Sequence, residues 1–176
     1  LTDKIIQDSE QNAILSFRRA AFPTRLKEIP EPPVKLFARG DFSCLKSSDA
    51  KYLCVVGTRR ASQYGVDACR SIIEGLCGQN IVIISGLAIG IDTVAHESAL
   101  RAGLKTTAVV CSGLEWSALY PRQNEKLAKE IVAAGGVIVS EFGDTYRPHN
   151  FNFPQRNRIM AGLSDATCVV EAIPAS

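Results

Sequence analysis

The stretch YLCVVGTRRASQYG, residues 52–65, decides the fold: a short apolar run stops at Gly57, and a polar loop bearing two arginines opens a helical pattern. From Tyr64 to Gln79 the apolar side chains fall at Val66, Ala68, Cys69, Ile72, Ile73, Leu76 and Cys77, the spacing of one helix face. The same sequence of events recurs downstream. IVIIS (81–85), TTAVVC (106–111), GVIVS (136–140) and ATCVV (166–170) are further apolar runs, and Ile91–Ala102 and Asn124–Ala134 carry helical spacing between them. Continuous apolar strands separated by helices belong to a parallel sheet covered on both faces. The expectation is therefore an α/β, Rossmann-like, doubly wound sheet in three layers.

Residues 1–50 read differently. They predict an amphipathic helix around Asp8–Ala21, a proline-rich connector (IPEPPVK) and an edge strand at LFARG, so the chain divides into an appendage at 1–50 and the main domain at 51–176. A chain of 176 residues with 46% hydrophobic and 22% charged residues has the composition of one globular domain. No apolar run approaches the ~18 residues of a membrane span, and no signal-peptide pattern is present, so no membrane association is expected. The six cysteines (Cys44, Cys54, Cys69, Cys77, Cys111 and Cys168) form no CxxC pair, which favours buried free thiols in a cytoplasmic protein over disulfides or a metal site. A net charge of +2 says little about partners, so charge has to be read locally.

In an open parallel sheet, ligands bind beyond the carboxyl ends of the strands, which directs attention to four loops. GTRRASQYG (57–65) offers Gly57, Thr58, Arg59, Arg60 and Ser62 before a helix start; it reads as an anion-binding loop or as a capped turn with solvated arginines. It is neither a dinucleotide fingerprint nor a P-loop, since GxGxxG and GK[ST] are both absent. SGLAIGIDTVAH (85–96) supplies Ser85, Gly86 and Gly90, with Asp92 and His96 one helical turn apart. That pair suits a helix cap and a satisfied histidine better than a metal site lacking a third ligand. SGLEWSALYPRQNEK (112–126) brings Trp116 and Tyr120 as stacking or packing rings and Arg122 and Lys126 as cations.

The loop after the fourth run, SEFGDTYRPHNFNFPQRNRIMAGLSD (140–165), has no acidic residue from Thr145 to Ser164. With a short helix starting at Asn157, Arg156 and Arg158 would flank a helix N-terminus, where the macrodipole disfavours cations. A bound anion would relieve that, and so would Glu141 or Glu171. Several cations and aromatic rings along one rim suit single-stranded nucleic acid, whose phosphates need charge and whose bases stack on rings. A mononucleotide is the alternative ligand. No catalytic residue, cofactor or metal is expected.

FPTRLKEIPEPPVKLFARG, VVGTRRASQYG, SGLAIGIDTVAHESAL, GLEWSALYPRQN and SEF…FNFPQRNRIMAGLS occur in that order. Together they resemble the DNA-processing protein A (DprA, also called Smf) family, from about Phe22 to Ala172. The resemblance implies a Rossmann-like core that binds single-stranded DNA, protects incoming strands in natural transformation, helps load the RecA recombinase, and dimerises through its later part. By motif it implies a DNA pocket lined by Arg59, the Ser85–Gly86 turn, Arg122, Lys126 and the FPQRNR segment. With the loop residues above, the candidate set is Gly57, Thr58, Arg59, Ser62, Ser85, Gly86, Gly90, Arg122, Asn124, Lys126, Phe153, Arg156, Asn157 and Arg158. The family commonly continues past VVEA with a further helix and strand, so its last two elements, and much of its dimer and RecA contact, are expected beyond VVEAIPAS. The second loop reads AIGID where the family often has a basic residue before that glycine. An enzyme of the related phosphoribohydrolase group is the rival reading, but its PGGxGTxxE signature is missing. A nuclease built on Asp92, His96, Glu141 and Glu171 is a weaker one.

Overall fold

Within residues 13–172, the part of the chain that the computed structural model describes, the elements follow in this order. They are β1 (Ile14–Arg18), a one-turn helix α1 (Thr24–Lys27), β2 (Lys35–Gly40), β3 (Lys51–Val56), α2 (Gln63–Glu74), β4 (Ile81–Ser85), α3 (Ile91–Arg101), β5 (Lys105–Val110), α4 (Glu125–Ala133), β6 (Val137–Ser140), α5 (Asn152–Leu163) and β7 (Ala166–Val169). All five apolar runs are strands, and they form one seven-stranded sheet in the order β1-β2-β6-β5-β4-β3-β7. β3 to β7 run parallel; β2 pairs antiparallel with β6, and β1 antiparallel with β2. This is the Rossmann-like α/β architecture read from the sequence.

Alternation along each strand sorts the core into two layers. Val55 and Ile83 point to the face covered by α2 and α3 through Cys69, Ile73, Ile91 and Ala95, while Ala108, Val110 and Ile138 meet α4 through Leu127, Ala128 and Ile131. Cys54, Val82, Ile84, Val109 and Val139 point to the opposite face, where Ile159, Met160 and Leu163 of α5 pack beside Leu26 of α1. Each buried aliphatic side chain contributes roughly 1.5–3 kcal/mol, so these two layers hold the sheet.

Three readings of the sequence need correcting. ILSFR belongs to no helix: Ile14–Arg18 is a strand in register with Lys35–Arg39, and Phe17 stacks on Phe42 with centroids 4.1 Å apart. Pairing to a neighbour overrides the helical spacing there; of the rest of the expected helix, Arg19–Ala21 form a single 3-10 turn and residues 8–12 lie outside the described residues. LFARG is a strand but not the edge, because β1 covers its free side. Finally, α5 starts at Asn152, with Pro154 accommodated in its first turn. Arg156 and Arg158 therefore lie in the middle of a helix, and the macrodipole argument for an anion beside them fails.

The chain places β3, β4, β5 and β6 successively outward, then returns through α5 to lay β7 against the other side of β3. Strand order thus reverses between β3 and β7. That is where a crevice opens in folds of this type.

Candidate nucleic-acid interface

A groove of about 800 Å³ lies at that reversal, above Cys54 and Val56 of β3 and Thr167 and Val169 of β7. The loop Gly57–Arg60 forms one wall, and Phe153, Arg156 and Asn157 of α5 form the other. A smaller cavity of about 80 Å³ continues from it between Arg59, Ile89, Tyr120 and Phe153, with Arg156 on its lining.

The loops around the groove are tied to one another. Thr58 N donates to the Glu171 carbonyl at 2.7 Å, and Ile91 N donates to the Thr58 carbonyl at 3.2 Å. Thr58 is buried, and its Oγ1 accepts from Arg60 N. Ser85 is also buried, its hydroxyl donating to the Val55 carbonyl at 2.6 Å and so locking β4 to β3. Gly57 abuts Ile91 closely: a Cβ there would lie 2.7 Å from Ile91 Cγ1. Gly90 has φ +89° and sits against the Thr58 carbonyl, a position closed to any side chain. At Gly86 a Cβ would strike the Arg156 guanidinium.

Beneath the rim is a buried polar layer. Asp92 accepts from Gly86 N at 3.1 Å and Ala88 N at 3.4 Å, folding the second loop back over the start of α3. Arg156 is 7% exposed; its Nη1 donates to the Gly86 carbonyl at 2.7 Å and to the Val109 carbonyl. Burial lowers the Arg156 pKa while Asp92 opposes that shift; burial raises the Asp92 carboxyl while Arg156 and the backbone donors oppose it. His96 is wholly buried. Its Nδ1 lies 2.7 Å from Thr106 Oγ1, which itself donates to the Ile83 carbonyl, so Nδ1 carries the proton and Nε2 is left without a partner. Burial, helped by Arg156, holds the ring down to about 3. Asp92 and His96 are structural, the reading the sequence favoured.

The cations divide sharply. Arg158 donates twice to Glu141, at 2.7 and 2.6 Å, the carboxylate alternative already open in the sequence. Arg122 donates to the Trp116 carbonyl at 2.7 Å and pairs with Glu125 at 3.2 Å. Lys126 extends into solvent 3.7 Å from Glu130. Asn124 is buried and donates to the Leu87 carbonyl and Thr93 Oγ1, both at 2.8 Å, holding loops rather than facing the groove. Ser62 caps α2 by accepting from Gly65 N, and Glu171 Oε2 accepts from Ser62 N at 2.9 Å. The anion position at that helix start is thus filled by the protein's own carboxylate.

Arg59 behaves otherwise. It is exposed, has no carboxylate partner among the described residues, and lies over the Phe153 ring with Cζ 4.8 Å from the centroid. Tyr120, 45% exposed, tilts against the same ring at 5.9 Å. Of the two rings left open in the third loop, Tyr120 stays at the rim. Trp116 packs down between Arg39 and Lys129, at 4.2 and 5.2 Å.

Sequence reasoning did not anticipate the part played by Glu171 at the α2 start, the Arg156–Gly86 contact, or a run of contacting rings at Phe142, Tyr146, His149 and Phe151. For the last, the spacing of aromatic residues in SEFGDTYRPHNF was the available signal. All six cysteines are free, four buried, Cys168 half-buried and Cys77 exposed, so burial does not extend to all of them. Among the described residues no group of three or more metal-ligating side chains comes together, and no helix is long and apolar enough to cross a membrane.

Residues 13–176 match the family model described as DNA recombination-mediator protein A. The DNA processing protein DprA of Streptococcus pneumoniae is 41% identical over 151 residues, covering 86% of this chain and 51% of that protein. The chain spans about half the length of the curated relatives it matches. The X-ray structure of pneumococcal DprA superposes with a TM-score of 0.83 at 37% identity, covering 99% of this chain and 60% of that one. DNA processing protein A from Helicobacter pylori, in a structure describing its single-stranded DNA binding mode, gives a TM-score of 0.81 at 30% identity, covering 93% of this chain and 71% of that one.

Proposed function

The chain belongs to the DNA recombination-mediator protein A family, and on that premise we propose that it binds single-stranded DNA along the groove between β3, β7 and α5. In this reading the protein works in the cytoplasm, shields incoming single strands and helps deliver them to the RecA recombinase during natural transformation. The longer protein acts as a homodimer. It binds and hands over rather than catalysing.

One observation carries the DNA reading. Arg59, Phe153 and Tyr120 form a guanidinium-and-ring surface at the mouth of the groove, with no carboxylate among the described residues to neutralise the guanidinium. A cation beside open rings serves phosphate and base together, and it does so whatever the base. Gly57, Arg59, Phe153 and Asn157 are the candidate contacts; Gly86 and Gly90 act by letting the loops close around Arg156 and Thr58. Arg122 and Lys126 serve as outer cations despite their acidic neighbours.

The groove argues against the hydrolase rival as well. Its two carboxylates are both engaged, Asp92 by Gly86 N and Ala88 N, Glu171 by Ser62 N, so neither is presented to a substrate.

The test is an anisotropy titration of labelled single-stranded and duplex DNA at several salt concentrations. Single strands should bind more tightly, with affinity falling as salt rises. Arg59→Ala should weaken binding about tenfold and reduce the salt slope by about one. Salt-independent binding, or an Arg59→Ala protein that binds as the parent does, overturns the reading.

A further inference from the structure

We propose that the loop between β6 and α5 carries a second stacking platform, on which Phe151 receives a base of the same strand just outside the groove. This rests on the single-stranded DNA reading above and extends its track.

Four rings form a ladder in that loop. Phe142 stacks on Tyr146 with centroids 4.4 Å apart and planes 11° apart; Tyr146 meets His149 edge-on at 6.1 Å; His149 stacks on Phe151 at 5.6 Å with planes 6° apart. Exposure grows along it. Phe142 and Tyr146 are half-buried, His149 is exposed, and Phe151 is 67% exposed.

The ladder is fixed in place. The buried Asn152 side chain accepts from Tyr146 Oη at 3.0 Å and from His149 N at 2.7 Å, and Gly113 N donates to the Tyr146 carbonyl at 2.8 Å. A phenylalanine kept in water on an ordered support is a surface for another ring. Ile159, in the helix that follows, is buried at 1% exposure, whereas Phe151 is left in solvent.

Position and charge name the occupant. Asn150 lines the groove and Phe153 lines both cavities, so a strand leaving the groove along α5 meets Phe151 next. Arg147 is exposed with no carboxylate within ion-pair distance among the described residues, and Glu141 is neutralised by Arg158. A cation in the same loop as an open ring suits an unpaired nucleotide, because duplex DNA keeps its base faces stacked.

Fluorescein-labelled oligothymidylates of increasing length test this by anisotropy. Affinity should rise with length. Phe151→Ala should remove about fivefold or more from the longer oligomers and leave the shortest unchanged, with Phe151→Trp retaining the gain and Phe151→Leu losing it. One abasic position scanned along a long oligomer should cost the parent protein what Phe151→Ala costs, and cost the variant nothing further. An unchanged Phe151→Ala profile, or an equal loss at every length, overturns the platform alone provided Arg59→Ala still weakens all lengths. Absence of binding at every length overturns the platform and the reading beneath it.

Discussion

Arg59 and Arg156 line the same small cavity, yet one guanidinium is offered to solvent and the other is committed to backbone carbonyls. The difference lies in what surrounds them. Arg59 sits on a loop, over a ring, with water around it; Arg156 projects from mid-helix across the sheet to Gly86 and Val109, where burial penalises its charge and the two carbonyls offset part of that cost, its Nε being left without a partner. A positively charged sequence motif therefore contains two kinds of arginine. One binds, and the other builds the place where binding happens.

The largest test of that division is stability. Arg156→Met leaves the Gly86 and Val109 carbonyls without their donor and Asp92 without its nearest cation, and should cost about 3 kcal/mol or more. In a chain of 176 residues that is a fall in Tm of roughly 6–12 °C. Arg59→Ala should stay within about 0.5 kcal/mol of the parent, as exposed substitutions do. Urea or thermal melts of the two variants decide it, and equal shifts would break the distinction.

Acid sharpens the same contrast, because the buried layer also holds a neutral histidine. The unfolded chain takes up a proton at His96 as pH falls through about 6.5, whereas the folded protein resists until about 3. Stability from this group is therefore complete above pH 6.5 and is lost on acidification, by about 1.4 kcal/mol per pH unit through the window between the two values. At pH 4.5 that amounts to roughly 2–3 kcal/mol. His96→Asn keeps a donor toward Thr106 but has no ring to protonate. The stability gap between parent and variant should be widest near pH 7 and narrow toward pH 4.5. A gap that stays constant would mean that His96 is not held neutral.

Strand runs and helix spacing were legible because the central parallel strands β4, β5 and β6 are buried on both faces and each helix on one, although β7 is largely exposed. Ile83 and Val55 needed no knowledge of their partners to be recognised as core. The strand Ile14–Arg18 was not, since five residues carry too little pattern and only the pairing with Lys35–Arg39 fixes their conformation. The rim was legible as a set of loops, and the family motif put Arg59 among its candidate cations. What the sequence could not sort was neutralisation: Glu141 lies 17 positions from Arg158 and Glu171 lies 109 from Ser62. Both acids quench positive sites that look open in one dimension. The start of α5 was misplaced because Pro154 reads as a break, although proline is accommodated in a first turn.

The smallest effect belongs to Arg158, which separates the two arginine types most finely. Its two bonds to Glu141 are short, and the pair is about four-fifths buried, with side-chain exposures of 21% and 20%. Yet its Nε and Nη1 are buried with no partner, and that desolvation offsets part of the gain. The net coupling in a double-mutant cycle of Arg158→Ala and Glu141→Gln should therefore be about 1 kcal/mol, well below the cost of losing Arg156. On DNA, Arg158→Ala should change affinity less than twofold, because its charge is already balanced. Glu141→Gln should instead strengthen binding and steepen the salt dependence, since it releases a cation on α5, the helix that walls the groove. A cycle with no coupling, together with a tenfold loss of DNA affinity in Arg158→Ala, would move Arg158 into the same class as Arg59.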